Sequence, residues 1–133
     1  MLYNDRILGR PSQAARYKFR ECIELDFHNL VDNMKMQYNF SKEEDVFKSI
    51  SANIEDPIFH SVSDLLGGLT NNKCTGIYGH SDEYWKDDHS LEREAFAHFF
   101  ESIARKDAEK NKILREVFPV SFKVFLSMLK DNL

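Results

Sequence analysis

Two short stretches of the chain hold residues that could do chemistry together. Residues 60–64 read His-Ser-Val-Ser-Asp, and residues 94–98 read Glu-Ala-Phe-Ala-His. Each places an acid and an imidazole four positions apart, which on a helix means one face, about 40° apart. With His60 at zero, Ile58, Val62, Leu65 and Leu66 fall at about 140–240°, so His60 and Asp64 point away from the apolar stripe. By the same count Glu94, His98 and Glu101 lie together, opposite Phe96, Phe99 and Ile103. Two readings are open. Both faces are solvated, with His98 pairing Glu94, or the two polar faces meet. In the second case His60, Asp64 and Glu94 supply one nitrogen and two carboxylates to zinc or another divalent metal, with His80 or His98 as a fourth ligand.

Hydrolysis at such a metal needs a general base beside the bound water. In the helical zinc motif H-E-x-x-H that base is the residue after the first His. Here it is Ser61, and Asp64 stands in place of the second His. Serine takes up no proton at neutral pH, so the residues lean away from an enzyme and assign no catalytic residue. Other chemistries have less behind them. Gly67-Gly68 is not followed by the Lys-Ser/Thr of a phosphate loop. Cys74 would need His60 or His80 as an activator and reads as a structural thiol. Tyr78, His80, Tyr84 and Trp85 form either a binding surface or, the simpler expectation, an anchor of Tyr84 and Trp85 that pins a loop to the core. Residues 106–112, rich in charge, read as a solvated face.

These side chains must be positioned by helices. Gly and Pro are few (5 and 3 in 133 residues), which argues against a turn-dense β fold. Ser12 is a candidate cap for a helix to about Lys35, with a stripe of Phe19, Cys22, Ile23, Phe27, Leu30, Val31 and Met34; residues 1–11 read as irregular. Ser41 with Glu44 has the spacing of a capping box. Asp56-Pro57 opens a third helix that is expected to stop at Gly67-Gly68. Residues 69–90 form one long polar loop with room for a short β-hairpin at Asn71-Asn72, and loops of that length tend to carry function. Ser90 caps the next helix, Asp107 starts a short one that ends at Phe118, and Pro119 starts the last, with Phe122, Phe125, Leu126, Met128, Leu129 and Leu133 inward. The expectation is a single compact, mainly α domain, residues 1–133, of about six helices.

A chain of this length can bury a core without staples, and its eleven Phe make that core aromatic. Two cysteines, Cys22 and Cys74, are no disulfide framework and suit a reduced, intracellular setting. The net charge of −4, without a basic stripe, disfavours nucleic acid as a main partner. No apolar run reaches the ~18 residues of a membrane span, and the N-terminus lacks the apolar segment of a signal peptide.

From about Phe59 to Leu129 the sequence resembles a domain at the C-terminal end of phage minor head (head-morphogenesis) proteins and related mobile-element proteins of Gram-positive bacteria. The likeness rests on Gly79-His80-Ser81-x-x-Tyr84-Trp85 followed by Glu94-Ala95-Phe96-Ala97-His98-Phe99-Phe100. Residues 1–55 carry no such likeness. More distantly, 60–64 and 94–100 are similar to the H-E-x-x-H helix and the later Glu-bearing helix of toxin-type zincin metallopeptidases. That resemblance implies a zincin-derived scaffold with His60, Asp64 and Glu94 at the ligand positions, kept for binding or for altered metal chemistry. It implies a phage or mobile-element protein in the host cytoplasm or virion, working without catalysis through contacts with a phage structural or host protein. The alternatives are an inhibitor of a host defence system, such as an anti-CRISPR, and a metal-dependent hydrolase with a non-standard His/Asp/Glu site. A minor head protein also has a large N-terminal part that this chain has no room for, so the chain is expected to be a piece of a longer protein or a small stand-alone one. Oligomeric state is not legible.

Overall fold

A computed structural model describes residues 13–131. Ser12, Leu133 and the irregular segment expected over 1–11 lie outside the described residues. Six α-helices follow one another: α1 Gln13–Tyr38, α2 Glu43–Asn53, α3 His60–Thr70, α4 Ser90–Ala104, α5 Ala108–Val117 and α6 Pro119–Asp131. Single 3-10 turns at Pro57–Phe59 and Tyr84–Lys86 complete the described elements, and no strand occurs among them. The fold is mainly α.

The helix starts follow from local chemistry. Asp56 Oδ1 accepts from the Ile58 amide at 2.9 Å and Pro57 takes the first turn, which is 3-10 before α3 begins at His60. Asp107 caps α5 through the Lys110 amide at 3.1 Å. The capping box at Ser41 does not form. The cap of α2 is Lys42, so Glu44 falls one position short of the reciprocal contact, and the acids Glu43, Glu44 and Asp45 favour the first turn through the helix dipole instead. Ser90 is the first residue of α4 rather than its cap, and its hydroxyl donates to the Asp87 carbonyl at 2.8 Å. The start of α6 is held from afar. Asp26, buried on α1, accepts from the amides of Val120 and Ser121 and from the Ser121 hydroxyl.

The core centres on phenylalanines. Phe99 of α4 is fully buried, stacked on Phe122 at 4.8 Å and edge-on to Phe125 and Phe19 at 5.6 and 5.9 Å. On α1, Phe19, Ile23, Phe27 and Val31 are buried as the stripe requires, while Cys22, Leu30 and Met34 are half-buried. Three inward assignments change. Leu126 and Leu129 pack on the core but stay half-exposed, and Ile103 is exposed. Ile103 lies in the final turn of α4, where the return into α5 covers Ser102, through the Asn111 amide at 3.1 Å, and not Ile103.

The glycine pair does not end α3. The helix runs to Thr70 and is closed by Asn71 in the left-handed region (φ 52°). Gly67 and Gly68 permit close approach instead. A Cβ on Gly68 would stand 2.7 Å from the Trp85 ring, and one on Gly67 would stand 2.7 Å from the Asn72 amide oxygen. The hairpin considered at Asn71-Asn72 is likewise absent from the described residues. Both asparagines have positive φ, but they are spent on the helix end, and Asn72 Nδ2 donates to the His80 carbonyl at 3.0 Å and to Asp82.

Candidate functional site

Helix α3 is packed nearly all round: Ser61 to Gly67 are all buried. The polar face is therefore turned inward at Asp64, which is 2% exposed, while His60, at the helix start, stays exposed. Opposite Asp64 lies α4. His98 Nε2 stands 2.7 Å from Asp64 Oδ2 and 3.7 Å from Glu94 Oε2, so its hydrogen bond crosses between helices and does not go to its own-helix neighbour.

The loop after α3 closes the third side. Ser63 Oγ donates to the Tyr78 carbonyl and accepts from the Gly76 amide at 2.8 Å, and Thr75 Oγ1 donates to the Ser63 carbonyl at 3.0 Å. Together with the Asn72 contact, these bonds carry His80 over the two acids. Its Nε2 is 3.5 Å from Asp64 Oδ1 and 3.6 Å from Glu94 Oε2. The His80 ring stacks on Tyr84 at 3.9 Å between centroids, and the Tyr84 hydroxyl donates to Glu94 Oε1. Burial, and then the neighbouring Glu94, push the Tyr84 phenol up to about 12, so it remains a donor. Trp85 is buried against Gly68, so Tyr84 and Trp85 anchor the loop.

Among the described residues, Asp64, Glu94 and His98 each offer a ligand atom, all within 4.8 Å of one another. His60 stands aside. Its ring meets Tyr78 at 4.9 Å and the edge of His98 at 5.8 Å. Desolvation, and then His98, hold its pKa below the ordinary histidine range. It lines a cavity of about 80 Å³ together with Ser61, Glu101, Arg105 and Lys110. The set suggested by the zincin likeness, His60 with Asp64 and Glu94, is thus brought together for its two acids and not for its imidazole. The partners that sequence reasoning missed are Tyr84, as the donor to Glu94, and Asn72, as the anchor of the His80 backbone. The Asn71-Asn72 pair carried a signal, because asparagine tolerates the left-handed region.

Comparison with family models, with curated proteins and with solved structures gives no match.

Proposed function

We propose that the chain is a non-enzymatic phage or mobile-element protein that acts through protein contacts on a zincin-derived helical scaffold. One observation carries this reading. Each acid is already engaged by a protein group: Asp64 Oδ2 is hydrogen-bonded to His98, and Glu94 Oε1 accepts from the Tyr84 hydroxyl. A hydrolase of this lineage needs a carboxylate free to take a proton from water, and the position after His60 offers Ser61, which is buried. The two blocks that carry the phage-protein resemblance supply His80, Tyr84 and Trp85 on one side and Glu94, Phe96, His98 and Phe99 on the other. Their spacing serves the construction of this centre, which supports kinship in scaffold more than in activity.

The contact surface that fits this reading is the outer line of α1. Leu25 and Met36 share one face of that helix at 48% and 84% exposure, with exposed Asn29 and Asp32 between them. A photo-crosslinking residue at Met36, in cells carrying the parent element, tests it. Capture of a virion protein supports the head-protein reading, and capture of a host defence protein supports the inhibitor. Metal-dependent cleavage of a protein substrate, abolished in Glu94→Ala, overturns both in favour of a hydrolase.

A further inference from the structure

We infer that Asp64, His80, Glu94 and His98 form a four-ligand site for a zinc-type divalent cation, from which His60 is excluded. This goes beyond the protein-contact reading and stands independently of it. The first support is an orphaned atom. Asp64 Oδ1 is buried and accepts no hydrogen bond among the described residues, on a side chain only 3% exposed. A buried carboxylate oxygen left unsatisfied is costly, and such atoms call for a missing partner.

The second support is spacing. His80 Nε2 to Asp64 Oδ1 is 3.5 Å, His80 Nε2 to Glu94 Oε2 is 3.6 Å, and His98 Nε2 to Glu94 Oε2 is 3.7 Å. These distances are too long for hydrogen bonds. They are close to the edge of a tetrahedron around zinc, about 3.4 Å for bonds of about 2.1 Å to nitrogen and oxygen. The fourth relation, His98 Nε2 to Asp64 Oδ2 at 2.7 Å, is a hydrogen bond in which a proton links two groups that an ion would link instead.

The donor set fits the same assignment. Two imidazoles and two carboxylates are a zinc-class set rather than the all-oxygen set of calcium or magnesium. The surroundings also hold the ligands in place. Tyr84 donates to the far oxygen of Glu94 and stacks on His80, as outer-sphere partners of a metal commonly do. The four ligands come from α3, the following loop and α4. A bound ion therefore ties the loop to the two helices, and four protein ligands leave a tetrahedral ion without an open position for water.

The test uses the full chain, stripped with chelator and then titrated with zinc or cobalt(II). The expected result is one ion per chain, the visible absorption of four-coordinate cobalt, and slower tryptic cleavage at the exposed loop lysines Lys73 and Lys86 when the ion is bound. His80→Ala and His98→Ala weaken uptake at least as much as loss of an outer-sphere partner does, about 10–100-fold, while His60→Ala leaves it unchanged. Asp64→Asn is avoided because so buried a change can prevent folding; His80, 39% exposed, is the safer probe. Absence of uptake by chain with a helical circular dichroism spectrum overturns the site. So does uptake that depends on His60 but not on His80 or His98. Uptake accompanied by metal-dependent hydrolysis leaves the site standing and overturns the protein-contact reading.

Discussion

Asp26 is the most informative residue to perturb outside the centre. It sits mid-way along α1, 3% exposed, and receives three bonds from the start of α6: Val120 N at 3.2 Å, Ser121 N at 2.8 Å and Ser121 Oγ at 2.6 Å. It acts as an N-cap supplied from another helix, 94 and 95 residues away in sequence. Asp26→Ala removes the cap, which costs about 0.5–2 kcal/mol. It also leaves the Ser121 amide and hydroxyl unsatisfied in the interior, each at about 1–3 kcal/mol, part of which a water entering the vacated space recovers. We expect a total loss of about 3 kcal/mol, a large share of the ~5–15 kcal/mol that holds a domain of this size. Asp26→Asn keeps an acceptor but turns an NH2 toward one of the donors, and should cost about half as much. Urea unfolding followed by circular dichroism measures both. A loss below about 0.5 kcal/mol for Asp26→Ala, or equal losses for the two variants, would refute the view that a directional long-range cap joins α1 to α6.

Three further outcomes follow from the packing. Phe99→Ala should cost about 3–5 kcal/mol, because the ring is fully buried among four other phenylalanines; a loss under about 1 kcal/mol in the same urea assay would place the core elsewhere. Gly68→Ala should destabilise by about 1–2 kcal/mol despite the better helix propensity, since the new methyl meets the rigid Trp85 ring at 2.7–2.9 Å. Trp85 is the single tryptophan, so an unshifted fluorescence maximum in that variant would count against the contact. Cys74 is fully buried and its thiol is pushed up to about 11 by desolvation, so at pH 8 a thiol reagent should label half-buried Cys22 first. Its folded pKa lies above the ordinary 9.0, so its contribution to stability is complete below pH 9 and is lost as pH rises toward 11. A melting temperature in Cys74→Ala with the same alkaline slope as the parent would contradict this.

What the sequence disclosed was mostly local. Asp56-Pro57, Asp107 and Pro119 mark helix starts with side chains or ring constraints that act within a few residues, and each start lies where it was expected. The Phe19–Ile23–Phe27–Val31 stripe is legible for the same reason, because helical periodicity needs no partner to be read. What stayed hidden depends on a second element. Gly67-Gly68 looks like a stop until Trp85 is laid across it. Ile103 fits the buried arc of α4 by angle, yet the chain's return covers Ser102 instead. The polar faces of α3 and α4 were visible as faces, but not the loop that closes over them. Its course is fixed by Ser63, Thr75 and Asn72, small polar residues whose hydrogen bonds leave no periodic trace.

That closure bears on why so polar a cluster can sit inside a helical core. Asp64 shares its turn of α3 with Leu65 and Leu66, both fully buried. A buried carboxylate there needs a partner, and Glu94 alongside adds a second acid. Two acids facing two imidazoles can be joined by hydrogen bonds between them or by a divalent cation among them. Hydrogen bonds satisfy the His98–Asp64 contact well but leave the three 3.5–3.7 Å separations and the bare Asp64 Oδ1 unexplained. A cation accounts for those three separations and for the bare oxygen. It also gives a physical role to a loop that has no strand or α-helix among the described residues and is otherwise held by scattered hydrogen bonds. On that account the ion holds α3, α4 and the intervening loop in one piece, with Asp64 from the first, Glu94 and His98 from the second and His80 from the loop.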